Sequence, residues 1–225
     1  MARKVKRGEY TIVEPSYSAS YTLDQGYPLR PRHPPTSVIE IRDILVALAA
    51  LTIAFYLIIY GRIGPDTVYY LGLAALSVFA GFLVHELSHK FVARRYGCWA
   101  EFRADYRMLG FALVTAYFGF LFAAPGAVMI AGNVDRERNG KISLAGPGSN
   151  LMIAAACLSI LFLTGVTGLV NDALSRLFMF SAFLGGFNMI PVMPFDGAKI
   201  WHWNKPIYIL TLLAAGFLFL LAYTH

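Results

Sequence analysis

Residues 67–96 decide the fold, and they read TVYYLGLAALSVFAGFLVHELSHKFVARRY. Residues 67–84 carry no Asp, Glu, Lys or Arg, and about 17–25 such residues are what a helix needs to cross the hydrocarbon core of a bilayer. The run ends in His85-Glu86-Leu87-Ser88-His89. Ionisable side chains beside so apolar a run are costly and usually functional. We therefore predict one helix over 67–96, with Gly97 as its end.

The rest of the chain has the composition of a membrane protein. Of its 225 residues, 57% are hydrophobic and 14% are charged, whereas soluble domains average about 25% charged residues. This composition excludes an ordinary water-soluble enzyme. Further runs without charged residues lie at 44–60, 108–134, 142–171, 177–195 and 206–224.

These runs predict an all-α polytopic membrane protein with about five to six transmembrane helices. We expect helices over 41–60, 67–96, 144–164, 174–190 and 206–223. Residues 38–225 then form a single transmembrane domain. Residues 1–37 are polar and contain five prolines, so we expect a largely irregular cytoplasmic tail.

The excess of basic residues predicts how the chain sits in the membrane. The formal net charge is +6, and in a membrane protein this charge indicates contact with anionic lipid rather than with nucleic acid. Lys and Arg concentrate before residue 43 and in the connections 90–107, 135–141 and 196–205. The positive-inside rule places these segments in the cytoplasm and predicts a multi-pass protein of the cell membrane.

Residues 108–134 have an unusual length for a membrane segment. They must begin and end on the cytoplasmic side, and they are too many for one straight span and too few for two. We expect a membrane-embedded re-entrant segment, with a partial helix over 109–123 and an extended β piece over Gly126–Ala131. Such backbone is tolerated at that depth when it is buried in protein or lines a wet cavity. A single long tilted helix is the alternative.

The motif at the end of the 67–96 helix has the spacing of a zinc site. His85 and His89 are four residues apart and therefore lie on one helix face, where two imidazoles can bind one zinc ion. Glu86 is placed to reach a water on the same metal, as a general base does. The alternative is a pair of histidines that are hydrogen-bonded at a helix end.

A catalytic zinc needs a third protein ligand and one open position. Asp196 is the better candidate, because the predicted topology brings the cytoplasmic ends of two helices together; the alternative is a carboxylate that caps the next turn. His202, between two tryptophans, is the weaker candidate. Asn188 precedes Pro191, where the helix should break, and could hold a substrate carbonyl or an oxyanion. An interhelical hydrogen bond is the alternative for Asn188.

These motifs together resemble the site-2 protease family of intramembrane zinc metalloproteases. The resemblance is carried by His85-Glu86-Leu87-Ser88-His89, by Asn188-x-x-Pro191-x-x-x-x-Asp196-Gly197, by Ala145-Gly146-Pro147-Gly148-Ser149-Asn150 and by Pro125-Gly126-Ala127-Val128. It covers about residues 68–197. One departure is that Asp196 is followed by Gly-Ala-Lys rather than the more usual Gly-Gly-Arg.

The resemblance implies a function and a set of site residues. It implies one Zn²⁺ per chain with His85, His89 and Asp196 as ligands, Glu86 as the general base and Asn188 as an active-site polar group. It also implies that a transmembrane protein substrate is cleaved near the cytoplasmic face. Three alternatives remain from the residues: a membrane zinc protease with Glu101 or Glu137 as third ligand, a zinc transporter or sensor, and an inactive protease relative.

Overall fold

The computed structural model describes residues 4–7, 10–13, 36–61, 63–121 and 125–224. Within them the chain is mainly helical, with two small antiparallel sheets of two strands each. The helices are α1 (Val38–Tyr60), α2 (Thr67–Val78), α3 (Val84–Arg95), α4 (Tyr106–Tyr117), α5 (Arg136–Thr164), α6 (Gly168–Phe187), α7 (Asp196–Trp203) and α8 (Lys205–Thr224). The strands are β1 (Lys4–Arg7), β2 (Tyr10–Val13), β3 (Trp99–Ala104) and β4 (Gly126–Ala131).

Four helices in the described part of the chain are long and apolar enough to cross a membrane. They are Val38–Tyr60, Thr67–Arg95, Arg136–Thr164 and Lys205–Ala222. The sequence predicts about five to six spans, and α6 accounts for part of this difference. This helix is not among the four, and its first half carries Asn171, Asp172 and Arg176.

The helix that carries the histidine motif is continuous but not uniform. A π-helical turn, Phe79–Leu83, joins α2 to α3, so that the predicted helix over 67–96 is confirmed with this one irregularity. Gly97 follows α3 with a φ of 78°, a left-handed conformation that glycine adopts without strain. Turns of the π type inside α-helices are frequent at functional sites.

Helix α5 runs through the middle of the molecule and begins earlier than predicted. The Asp135 side chain accepts a hydrogen bond from the Arg138 N–H at 2.8 Å, which caps the helix eight residues before the predicted start at 144. The helix continues through Pro147. It packs against α3, α6 and α7, and it therefore contacts both halves of the predicted zinc site.

Residues 108–134 return on themselves, so the single tilted helix is wrong. Strands β3 and β4 are antiparallel, and Ala104 pairs with Gly126 at the point where the intervening segment leaves and re-enters the sheet. The partial helix is present as α4, which ends at Tyr117 rather than at 123. The extended piece is present as β4 with the predicted bounds.

Helix α1 covers the outer edge of β3 with two carboxylates. Glu40 accepts a hydrogen bond from the Phe102 N–H at 3.0 Å, and Asp43 accepts one from the Ala104 N–H at 3.3 Å. Asp43 also accepts from the Tyr106 hydroxyl at 2.7 Å, and this hydrogen bond raises the pKa of Tyr106. These two amides of β3 are therefore satisfied without a further strand.

The same hydrogen bonds show which backbone groups of β4 face away from β3. In an antiparallel ladder, residue pairs that bond each other alternate with pairs whose N–H and C=O groups point outward. Because the Phe102 and Ala104 amides point outward to α1, their register partners on β4 point outward on the opposite edge. Val128 is the partner of Phe102, and Gly126 is the partner of Ala104. Ile130 lies two residues beyond Val128 and pairs with Ala100, so its N–H and C=O groups point outward as well.

Near the N-terminus the structure describes only β1 and β2, which form a hairpin in which Lys4 pairs with Val13. The other residues of the predicted irregular tail before residue 36 lie outside the described residues.

Candidate metal centre

Two imidazoles and one carboxylate meet in the interior of the molecule. Nε2 of His89 lies 3.1 Å from Nε2 of His85. The Asp196 Oδ2 atom lies 3.0 Å from the first nitrogen and 3.4 Å from the second. All three residues are buried, and within the described ranges they form the group of His, Cys, Asp or Glu residues that could hold a metal ion.

The outer nitrogens of the two rings are hydrogen-bonded to oxygens. His89 Nδ1 lies 2.7 Å from the Ile142 carbonyl oxygen, which can only accept, so this nitrogen must donate. His85 Nδ1 lies 2.5 Å from Asn150 Oδ1. When both Nδ1 atoms donate, each neutral ring keeps a lone pair on Nε2. The two Nε2 atoms face each other and Asp196.

The arrangement fits a zinc ion. Zinc bonds of about 2.0–2.2 Å in a tetrahedral site separate neighbouring ligand atoms by about 3.3–3.6 Å, and the three observed separations run from 3.0 to 3.4 Å. Three acceptor atoms at this spacing repel one another unless a cation lies between them. Two histidines and one aspartate are also a ligand set that suits zinc better than magnesium or calcium.

Asp196 reaches the histidines because the chain turns sharply after α6. Helix α6 ends at Phe187, and α7 begins at Asp196. The Gly197 N–H donates to the Asn188 carbonyl at 2.7 Å, and a Cβ on Gly197 would overlap the Met189 carbonyl. The sequence predicts a connection between membrane helices over 196–205, and the structure shows that a short helix, α7, occupies most of it. Asp196, the first residue of this helix, presents its carboxylate to both histidines.

Glycine 146 brings α5 directly against the two histidines. A Cβ at this position would overlap His89 Nε2 and lie 2.6 Å from His85 Nε2. Real Cβ atoms do not approach other atoms this closely, so only glycine permits the observed contact. The glycine therefore lets a second helix cover the metal centre on one side.

Glu86, Asn188 and Lys199 line the cavity beside the three ligands, and this cavity has a volume of about 70 Å³. This is several times the roughly 10–15 Å³ that one water requires. Glu86 is buried, and it follows a metal-site histidine on the same helix. Asn188 Nδ2 donates to the Leu184 carbonyl at 3.0 Å, within its own helix and not across helices. Lys199 Nζ lies 3.4 Å from Asp196 Oδ1.

The weaker candidate ligands lie elsewhere. His202 is exposed on α7. Glu101 is buried but is bound by Ser37 and Arg103, and Glu137 forms an exposed ion pair with Lys141. The structure thus brings His85, His89 and Asp196 together with Glu86 and Asn188, and it leaves these three outside.

Two residues of the site are not found by reasoning from the sequence. Asn150 contacts His85, and the available signal was its place at the end of the Ala145–Asn150 motif. Lys199 contacts Asp196, and its spacing of three residues within one helix would have indicated this contact.

Two curated proteins from Methanocaldococcus jannaschii are similar to this chain. "Putative zinc metalloprotease MJ0611" is 42% identical over 148 residues, which cover 60% of this chain and 72% of that protein. "Zinc metalloprotease MJ0392" is 26% identical over 163 residues, which cover 72% of this chain and 42% of that protein. No family model matches the chain, and no solved structure matches it. The 42% identity, over most of the first relative, shows that the chain belongs to a family of zinc metalloproteases.

Proposed function

We propose that the chain is an intramembrane metalloprotease of the site-2 protease type. It hydrolyses a peptide bond within or near the transmembrane segment of a membrane protein. The observation that carries the proposal is the meeting of His85, His89 and Asp196 beside Glu86 in an otherwise apolar helical molecule. Residues 38–225 form the metalloprotease domain.

His85, His89 and Asp196 hold the metal in this proposal. A zinc ion held by these three residues would supply Lewis-acid chemistry, which polarises a carbonyl and makes water a nucleophile near neutral pH. Glu86 accepts the proton of the attacking water and returns it to the leaving amine nitrogen. Asn188 retains one N–H of its amide for the oxygen of the scissile carbonyl, because the hydrogen bond to the Leu184 carbonyl uses only one of its two N–H donors.

Strand β4 supports a peptide as the substrate. Val128 and Ile130 are 7% and 6% exposed, both line the cavity, and their outward N–H and C=O groups have no partner in the described part of the chain. Buried backbone groups without partners are costly, and an extended peptide that adds to a strand edge satisfies them. A substrate helix must unwind locally to bind in this way.

The proposed cellular location rests on the long apolar helices and on the distribution of basic residues. Four membrane-length helices support a membrane protein, and the distribution of Lys and Arg supports the further proposal that it is a multi-pass protein of the cell membrane whose cavity opens toward the cytoplasmic face. The partners in this proposal are lipid and a transmembrane protein, with no nucleic acid.

The test is to purify the protein in detergent and to measure zinc content and cleavage of a single-span model protein, with and without chelator. The wild type should hold one zinc per chain and lose cleavage when the zinc is removed. Glu86→Gln should keep zinc and lose cleavage, and Asp196→Ala should lose zinc. Glu137→Gln, an exposed glutamate outside the site, is the matched control and should behave as wild type.

The outcomes separate the alternatives. A wild type without zinc would contradict the proposal. Zinc binding with undiminished cleavage by Glu86→Gln would contradict the role of Glu86. Zinc binding without cleavage of a peptide bond, and with transport or sensing instead, would favour a non-proteolytic zinc-binding protein or an inactive relative.

A further inference from the structure

Asn150 is a fully buried polar side chain to which the proposed mechanism gives no role. It is 0% exposed and lies in α5, between the histidine helix and α6. A Cβ on Gly185 of α6 would lie 3.2 Å from the Asn150 Cβ, so the absence of a side chain at Gly185 makes room for it. Burial of an amide without partners is costly, and both ends of this amide are in fact used.

The two hydrogen bonds of Asn150 define which way its amide points. Nδ2 donates to the Gly81 carbonyl at 3.1 Å. Because a carbonyl can only accept, the NH₂ end must face Gly81, and the oxygen must face His85 Nδ1 at 2.5 Å. Gly81 belongs to the π-helical turn Phe79–Leu83. The irregular turn before the histidine motif therefore presents a carbonyl to Asn150.

This orientation has a consequence at the other end of the imidazole. With an oxygen against Nδ1, that nitrogen carries the hydrogen, and Nε2 of the neutral ring keeps its lone pair. Nε2 is the atom that faces His89 and Asp196. His89 is held in the same tautomer by the Ile142 carbonyl, but Ile142 does so with backbone, whereas His85 depends on a replaceable side chain.

We propose that Asn150 is a positioning residue for the metal ligand His85, and that the Gly81 carbonyl of the π-helical turn fixes its orientation. The inference rests on the proposed metal site but not on proteolysis. Partners of this kind hold a ligating histidine in one tautomer and one ring orientation, and their loss typically weakens metal affinity 10–100-fold. Asn150 touches neither substrate nor metal in this arrangement.

The test is the zinc affinity of purified variants, measured by competition with a chelator of known affinity. Asn150→Leu keeps the approximate volume and removes both hydrogen bonds, and we expect its zinc affinity to fall about 10–100-fold. Asn150→Asp keeps an acceptor for His85 Nδ1 and, as the neutral acid that full burial favours, a donor for the Gly81 carbonyl, so its affinity should stay within several-fold of wild type. Ser149→Ala is the control, because the hydroxyl of this buried neighbour donates to the Gly146 carbonyl and not to His85; it should match wild type.

A second readout separates positioning from general damage. Cobalt(II) in place of zinc reports ligand geometry in its visible spectrum, and the spectrum should change in Asn150→Leu while Ser149→Ala and Asn150→Asp keep the wild-type form. Equal zinc affinity in Asn150→Leu and wild type would overturn the inference. If Asn150→Leu does not fold, a large loss of affinity in Asn150→Asp would overturn it instead. A wild type that binds zinc but cleaves nothing would contradict only the proposed function.

Discussion

Lys90 Nζ lies 2.6 Å from both carboxylate oxygens of Glu40, although Lys90 directly follows a histidine of the metal centre and Glu40 lies in the first turns of α1. Both side chains are buried. Glu40 also accepts from the Phe102 N–H of β3. One buried carboxylate thus links α1, the histidine helix and the sheet.

This ion pair predicts a large loss of stability when it is broken from one side. Lys90→Met leaves the Glu40 charge buried without its cation, and we expect a loss of about 3–5 kcal/mol. Glu40→Gln combined with Lys90→Met should recover part of this loss, because Gln still accepts from Phe102. Thermal unfolding in detergent measures both. Lys141→Met removes an exposed ion pair with Glu137 and should change stability little. An equally small loss of stability in Lys90→Met would contradict a stabilising role for the buried pair.

A pair of glycines in α5 tests the close approach at the metal centre. Gly146→Ala should abolish zinc binding, because the new methyl group would overlap the His89 ring nitrogen. Gly148→Ala has nothing within 4 Å of its Cβ and should keep zinc, with stability raised by up to about 1 kcal/mol through helix propensity. Metal analysis of the two proteins decides the question, and full zinc occupancy in Gly146→Ala would show that the helices can separate.

Zinc should stabilise the folded chain. Its ligands face one another in the folded protein only, so binding shifts unfolding by mass action, by about 4 kcal/mol when free zinc is 1,000 times its dissociation constant. We expect the melting temperature to fall with chelator and to recover when zinc is returned. Asp196→Ala should show no such response, and a response as large as that of wild type would argue against Asp196 as a ligand.

The two carboxylates that cover the outer edge of β3 predict a local effect on the hydrogen exchange of its backbone amides. Asp43→Ala removes the acceptor of the Ala104 N–H, so hydrogen exchange at this amide should rise, while the Phe102 amide stays protected by Glu40. Arg42→Ala, which removes a largely exposed neighbour that pairs with Asp43, should leave both amides protected. Unchanged exchange at Ala104 in Asp43→Ala would show that another group covers this edge.

The open edge of β4 predicts a selective loss of cleavage. Val128→Pro removes an N–H that points away from β3, so the ladder between the strands and the zinc content should both survive. Cleavage of the model protein should fall strongly, because a substrate strand loses a backbone partner. Val128→Ala keeps the N–H and should cleave nearly as wild type. Equal cleavage by Val128→Pro and Val128→Ala would argue against strand addition.

Features set by local composition could be predicted from the sequence. The apolar run before Tyr60 and the run 67–84 predicted α1 and the α2–α3 helix, and the glycines and charge counts around 108–134 predicted a returning segment with a strand over Gly126–Ala131. The spacing of His85 and His89 indicated one helix face. The topology argument also predicted that Asp196 would lie near them, and in the structure it does.

Features set by tertiary contacts could not be predicted in the same way. The sequence predicts a helix over 144–164 but not its extension back to Arg136, which moves Pro147 from the first turn of the predicted helix to the interior of α5. The π-helical turn and the Asn150 contact to Gly81 depend on two helices that are distant in the chain. The burial of Lys90 is likewise visible only once α1 is in place.

Glu40 and Asp43 occupy the outer edge of β3, so a substrate strand can add to this sheet along β4. To do so, the substrate needs backbone N–H groups that are not already hydrogen-bonded. In an intact transmembrane helix these N–H groups are hydrogen-bonded within the helix and cannot bond to β4. On the proposed function, a substrate is therefore selected by how readily a stretch of its transmembrane helix unwinds, and a glycine or proline in that stretch matters more than the side chains beside the cleaved bond.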